Sequence, residues 1–151
     1  MPAPPPALMW IDPGGMTGLA TLINGGFFAS EYPFAEACDV LTGNCQLFGR
    51  ELHIGYEKFT ILPSTHKLHP EPEAYEFPGV VKYLARMNRC VLLQPAQPSE
   101  RLAATSAELK ALGWWTPGLN DAQSAAQHLL AFLKRENCVP PHLATTLARL
   151  H

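Results

Sequence analysis

Basic residues are scarce in this chain. Its 151 residues carry 11 Lys and Arg against 13 Asp and Glu, a formal net charge of −2. A polyanion-binding protein usually shows a basic excess, although a local patch matters more than the sum. Aspartate is scarcer still, with only Asp12, Asp39 and Asp121 present. No apolar run reaches the ~18 residues that a membrane-spanning helix needs, so no membrane partner is expected. The four cysteines, Cys38, Cys45, Cys90 and Cys138, form no Cys-x-x-Cys pair. That argues against a zinc site and suits reduced, partly buried thiols in a cytoplasmic protein. The Met1–Pro6 stretch lacks the basic start of a secretion signal and is expected to be an extended arm over residues 1–6. No internal repeat is present, so residues 7–151 are expected to form one domain.

What the chain does have is a Gly-rich punctuation near its start. The stretch Ile11-Asp12-Pro13-Gly14-Gly15-Met16-Thr17-Gly18 separates the apolar runs Ala7–Ile11 and Leu19–Ile23. Two short apolar runs joined by such a turn predict a hairpin. Asp12 then stands at a strand end, as a turn residue or as a metal ligand held by a rigid turn. Gly25-Gly26 predicts a second turn, giving three antiparallel strands at roughly 7–11, 17–23 and 27–32. Phe34, Ala37, Leu41 and Phe48 recur at helical spacing. Leu52–Phe59 alternates as a fourth strand with Glu57 near its end. The segment at roughly 60–73, with Pro63, His66, His69, Pro70 and Pro72, reads as a surface loop, not as a metal cluster.

Further on, a helix near 74–87 either starts at Pro78 or is kinked there. Arg89–Pro95 reads as a fifth, buried strand, and Pro98–Ala103 and Ser106–Leu112 as short helices. The Trp114-Trp115 pair suits a packing lid better than a base-stacking platform. Asn120, with Gln123 three residues on, is expected to cap the last long helix. Ala122, Ala125, Ala126, Leu129, Phe132 and Leu133 form its apolar face, and His128 reads as an ordinary helix residue. The sum is an α/β chain with a mixed five-stranded sheet flanked by helices, its first three strands antiparallel. The order β-β-β-α-β-α-β-α is that of the ribonuclease H-like fold.

Several pieces carry a resemblance: Ile11–Gly15 with Thr17-Gly18, Tyr56-Glu57-Lys58-Phe59, Thr65-His66-Lys67, Gly79–Ala85, Leu109–Trp115 and Asn120–Leu130. In this order and spacing the chain resembles the phage branch of the RuvC-like Holliday junction resolvases. The resemblance implies a metal-dependent endonuclease acting on branched DNA, usually as a homodimer in which each subunit cuts one strand. It implies that Asp12, Glu57 and Asp121 form the catalytic acid cluster, binding Mg²⁺ at a two-ion site, with Mn²⁺ as the alternative. Three clustered carboxylates repel one another unless such a cation binds them.

The family's helix carries His or Asp, two residues, then Asp. Here Asp121 fills the first position and Ser124 stands at the second, as a weak or water-mediated metal ligand. Lys58, Phe59 and Lys67 match the region where the family meets DNA, and Lys82, Arg86 and Lys110 extend that phosphate-contacting surface. Ser124 keeps a second reading open: a non-catalytic module that binds DNA junctions or a protein partner. The Asp12–Thr17 stretch also suits a phosphate loop of the sugar-kinase or actin type. The chain lacks room for the two lobes that clamp a nucleotide, so no nucleotide cofactor is expected.

Overall fold

In the computed structural model of the chain, residues 2–58 and 72–151 are described. Strands β1 (Ala7–Asp12), β2 (Met16–Ile23) and β3 (Gly26–Pro33) form the antiparallel meander expected from the glycine punctuation. The second turn falls on Asn24 and Gly25, both at positive φ, as a tight two-residue hairpin requires. Helix α1 (Phe34–Phe48) then leads to β4 (Leu52–Tyr56), which lies parallel to β1 on its other side. Helix α2 (Pro72–Asn88) precedes β5 (Val91–Leu92), which pairs in parallel with β4. The sheet order is β3-β2-β1-β4-β5, the mixed five-stranded arrangement predicted. A 3₁₀ turn (Pro98–Ala103) and helices α3 (Ser106–Leu112), α4 (Asn120–Arg135) and α5 (Pro141–Ala148) complete the chain.

Three elements differ from the sequence expectation. The fifth strand is two residues long and exposed, because it is the sheet edge and its side chains have no neighbouring strand beyond them. Helix α2 begins at Pro72 and runs through Pro78. Asn120 is the first helical residue of α4 and provides no side-chain cap. Glu31 of β3 does that work instead: its Oε1 accepts from the amides of Asp121 (2.7 Å) and Ala122 (3.3 Å). Gln123 donates to the Thr116 carbonyl and takes no part in a capping box. The fourth strand ends at Tyr56, but the ladder continues one step: the Glu57 amide donates to the Ile11 carbonyl at 2.9 Å. Phe59, Lys67 and most of the Pro- and His-rich loop lie outside the described residues.

β1 is the spine, buried on both faces. Strand alternation sends Ala7, Met9 and Ile11 to one side, where they pack with Leu41 of α1 and Phe77 and Val81 of α2. Leu8 and Trp10 point to the other side, against Ala125, Leu129 and Phe132 of α4 and Leu109 of α3. The tryptophan pair packs as expected at Trp114, which is 4% exposed and stacks on Phe27 at 4.2 Å. Among the described residues no helix is long and apolar enough to cross a membrane.

Trp10 needs space beside it, and Gly55 supplies it. The two are partners across the β1–β4 ladder, and a Cβ on Gly55 would overlap the indole ring. Gly55→Ala is therefore expected to cost about 1–3 kcal/mol, the range for overpacking a filled core. Urea unfolding measures it; a change below 0.5 kcal/mol, within the ordinary surface range, would contradict this packing.

Candidate active site

Asp12 ends β1 and shares the face of Leu8 and Trp10, the face covered by α4. Tyr56 pairs with Ile11, so Glu57 stands beside Asp12 at the carboxyl ends of two parallel strands. Alternation turns Glu57 toward α4 and its neighbours Tyr56 and Lys58 toward α2. The third acid arrives on α4, and a glycine permits it. Gly18 is the partner of Asp12 across β1–β2, and a Cβ there would collide with the backbone carbonyl of Asp121. The first turn of α4 thus rests directly on β2, one ladder position from Asp12. Thr17, fully buried, donates to the Gly14 carbonyl at 3.0 Å and braces the turn that follows Asp12.

The electrostatics register this convergence. The carboxyl of Asp12 is pushed up from 3.8 to about 7, first by burial, then by the charges of Glu57 and of Asp121. Arg101 and a hydrogen bond with Ser124 pull it the other way without compensating. Asp12, Glu57, Asp121 and Ser124 therefore lie in one neighbourhood. Among the described residues, however, no three His, Cys, Asp or Glu side chains are arranged to hold an ion as they stand. The two observations are compatible, because Coulombic coupling acts over longer distances than coordination. Glu57 is engaged elsewhere, and the donor set still suits a hard divalent cation. Its members are oxygen ligands, and the excess negative charge at Asp12 is what a cation would relieve.

Two residues at the site were not singled out from sequence. His128, on α4 and 1% exposed, lies with its Nε2 2.7 Å from Glu57 Oε2. The imidazole stacks on Trp10, centroids 5.8 Å apart and planes 14° apart. Asp121, Ser124 and His128 follow the helical repeat, so one stripe of α4 faces the strand ends. That spacing was the available signal, but a histidine one turn beyond Ser124 reads first as an ordinary helix residue, packed or exposed. Arg101, in the 3₁₀ turn, places Nη1 3.4 Å from the same Glu57 oxygen.

The basic candidates divide between the two sheet faces. Lys58 and Lys82 line one cavity of about 400 Å³ with Tyr56, Tyr75 and Gln97, and Arg86 is exposed one turn further along α2. Lys110 is on α3, which packs on the other face, and its ammonium lies 4.8 Å over the Trp115 ring. It is not brought together with the α2 cations.

The sequence matches no protein-family model and no curated protein. Among solved structures the chain is similar to two of RuvC from Thermus thermophilus. The complex of that RuvC with a Holliday junction substrate superposes with a TM-score of 0.53 at 14% identity, covering 87% of this chain and 96% of that one. The second, a RuvC structure from the same organism, gives 0.51 at 14% identity, covering 86% and 96%. The protein thus has a RuvC-like fold, in the ribonuclease H-like class, over nearly all of its length.

The raised Asp12 carboxyl sets a pH-dependent stability. Its folded pKa, about 7, exceeds the 3.8 of the free group, so the native state holds this proton more tightly than the unfolded chain. The favourable contribution is complete below about pH 4 and is lost as pH rises through about 7. In a chelating buffer Asp12→Asn, which cannot ionise, is expected to gain stability over wild type between pH 5 and pH 8. The upper bound over that window is about 3 kcal/mol. Denaturant melts at both pH values check this; an equal effect of the substitution at both would refute it.

Proposed function

We propose that this protein is a metal-dependent, structure-selective endonuclease that hydrolyses phosphodiester bonds in branched DNA such as four-way junctions. The observation that carries the reading is the crowding of Glu57 and Asp121 on a partly buried Asp12, at the carboxyl ends of adjacent parallel strands in a RuvC-like fold. The charges of Glu57 and Asp121 both raise the carboxyl of Asp12, and a bound divalent cation would relieve that repulsion. Asp12, Glu57 and Asp121 would hold it, with Ser124 as a weak or water-mediated ligand. One or two bound Mg²⁺ or Mn²⁺ ions would supply an activated water and neutralise charge on the leaving oxygen.

The chain's own residues do the rest. Ser124 orients Asp12 through its hydrogen bond, and His128, fixed against Trp10, orients Glu57. In the reaction the water oxygen adds to phosphorus and the bond to one sugar oxygen breaks. That oxygen gains a proton while the attacking water loses one. Lys58, Lys82 and Arg86 would meet the phosphate backbone beside β4, and Lys110 would meet it from the other face. Phe59 and Lys67 belong to the same reading by resemblance alone. A homodimer, one active site per strand, and a phage recombination or DNA-processing role complete it.

A second reading, a non-catalytic junction-binding or protein-interaction module, is favoured by one specific arrangement. Ser124 stands where an acid is expected, and Glu57 is already occupied by His128 and Arg101. Cleavage of a labelled four-way junction, beside a linear duplex, separates the two. Wild type is expected to cut the junction in Mg²⁺ or Mn²⁺ and to stop in chelator. Asp12→Asn should lose at least about a hundredfold, the scale of one electrostatic group at a reacting centre. A silent wild type with cutting restored in Ser124→Asp would establish the second reading instead.

A further inference from the structure

Glu57 receives two donors on a single oxygen, and they are held differently. His128 is buried, stacked and 2.7 Å away. Arg101 is 36% exposed and 3.4 Å away. Its backbone is nevertheless fixed. The 3₁₀ turn carrying it is tied to α4 at two consecutive carbonyls. Lys134 Nζ donates to Ala103 at 2.6 Å and Gln127 Nε2 donates to Ala104 at 3.0 Å. A capping box at the start of the turn joins Gln97 and Glu100. The fold therefore delivers a guanidinium to the mouth of the acid cluster, on a flexible stem from an anchored base. Arg101 also acts on Asp12, lowering its carboxyl against the effect of its acidic neighbours.

We propose that Arg101 is a resident counter-ion of the acid cluster, which a divalent cation must displace from Glu57 before the site is complete, and whose freed guanidinium then binds the phosphate to be cut. The inference rests on the nuclease reading above. A guanidinium and a divalent cation held at one carboxylate repel each other and compete for its charge, so each weakens the other's hold. Displacement is feasible because the pair is long and partly solvated, the kind of ion pair that contributes little. Once released, the planar fork matches a phosphate oxygen pair, and it needs only a short swing because the turn does not move. His128 keeps Glu57 oriented throughout, since its buried ring has the Trp10 face behind it.

The test is Mn²⁺ titration of the full-length, DNA-free protein by calorimetry, combined with junction cleavage. Arg101→Gln is expected to bind Mn²⁺ about fivefold more tightly than wild type, the factor equivalent to one partly solvated ion pair. The same variant should lose kcat at saturating Mn²⁺ with a smaller change in KM. Arg101→Lys, which keeps the charge but not the fork, should hold Mn²⁺ as wild type does and still lose kcat. Lys58→Gln removes the same charge one residue from Glu57 but on the opposite sheet face. It should alter Mn²⁺ affinity by less than about twofold, because solvent screens that separation. Thermal melts confirm that each variant is folded.

Unchanged or weaker Mn²⁺ binding in folded Arg101→Gln overturns the proposal, as does equal tightening in Lys58→Gln, which would be a general charge effect. A wild type that neither binds Mn²⁺ nor cuts overturns the nuclease reading itself, and this inference with it.

Discussion

The site depends on a place where a side chain is missing. Helix α4 begins with its backbone against Gly18, and no other residue could occupy that ladder position without displacing the helix. Because Gly18 pairs with Asp12, the contact fixes the distance between the acid on the strand and the stripe of α4 that carries Asp121, Ser124 and His128. The same device recurs on the other side of β1. Gly55 leaves room for Trp10, and Trp10 in turn forms the wall on which His128 stacks. Two glycines, each the cross-strand neighbour of a β1 residue, thus set the depth of the site and the floor beneath it.

Much of this was legible in the sequence. Glycine and proline punctuate the first three strands so clearly that the meander and its order follow from them. The expectation that Asp12, Glu57 and Asp121 act together came from element order combined with the resemblance. What was not legible involves partners far apart along the chain. The role of His128 comes from Glu57, 71 positions earlier, and from the Trp10 face. Helical spacing alone left it an ordinary helix residue, packed or exposed, and it is buried. Arg101 sits in a short 3₁₀ turn, an element with no periodicity to read. Asn120 had the right chemistry for a cap, but the amides it would have served are met by Glu31 across 90 positions. The fifth strand misled because an apolar run gives no information about whether it will be central or at the edge.

The acid cluster is also held under opposing loads. Burial and two neighbouring charges disfavour an ionised Asp12, while Ser124 and Arg101 pull its carboxyl the other way and His128 and Arg101 hold Glu57. None of these supports comes from β1 or β4 themselves. They come from α4 and from the turn that α4 anchors, so the packing of one helix governs both the spacing of the acids and their charge.

The Glu31 contact carries a consequence for the direction from which a polyanion can approach. The exposed amides at the start of a helix ordinarily make a receptive cradle for phosphate oxygens. Here that cradle is filled from within by a carboxylate of β3. The positive end of α4 is thereby closed to an incoming strand. Lys58 and Lys82 border an open cleft on the β4 flank, so positive charge is offered there by side chains and not by a helix end.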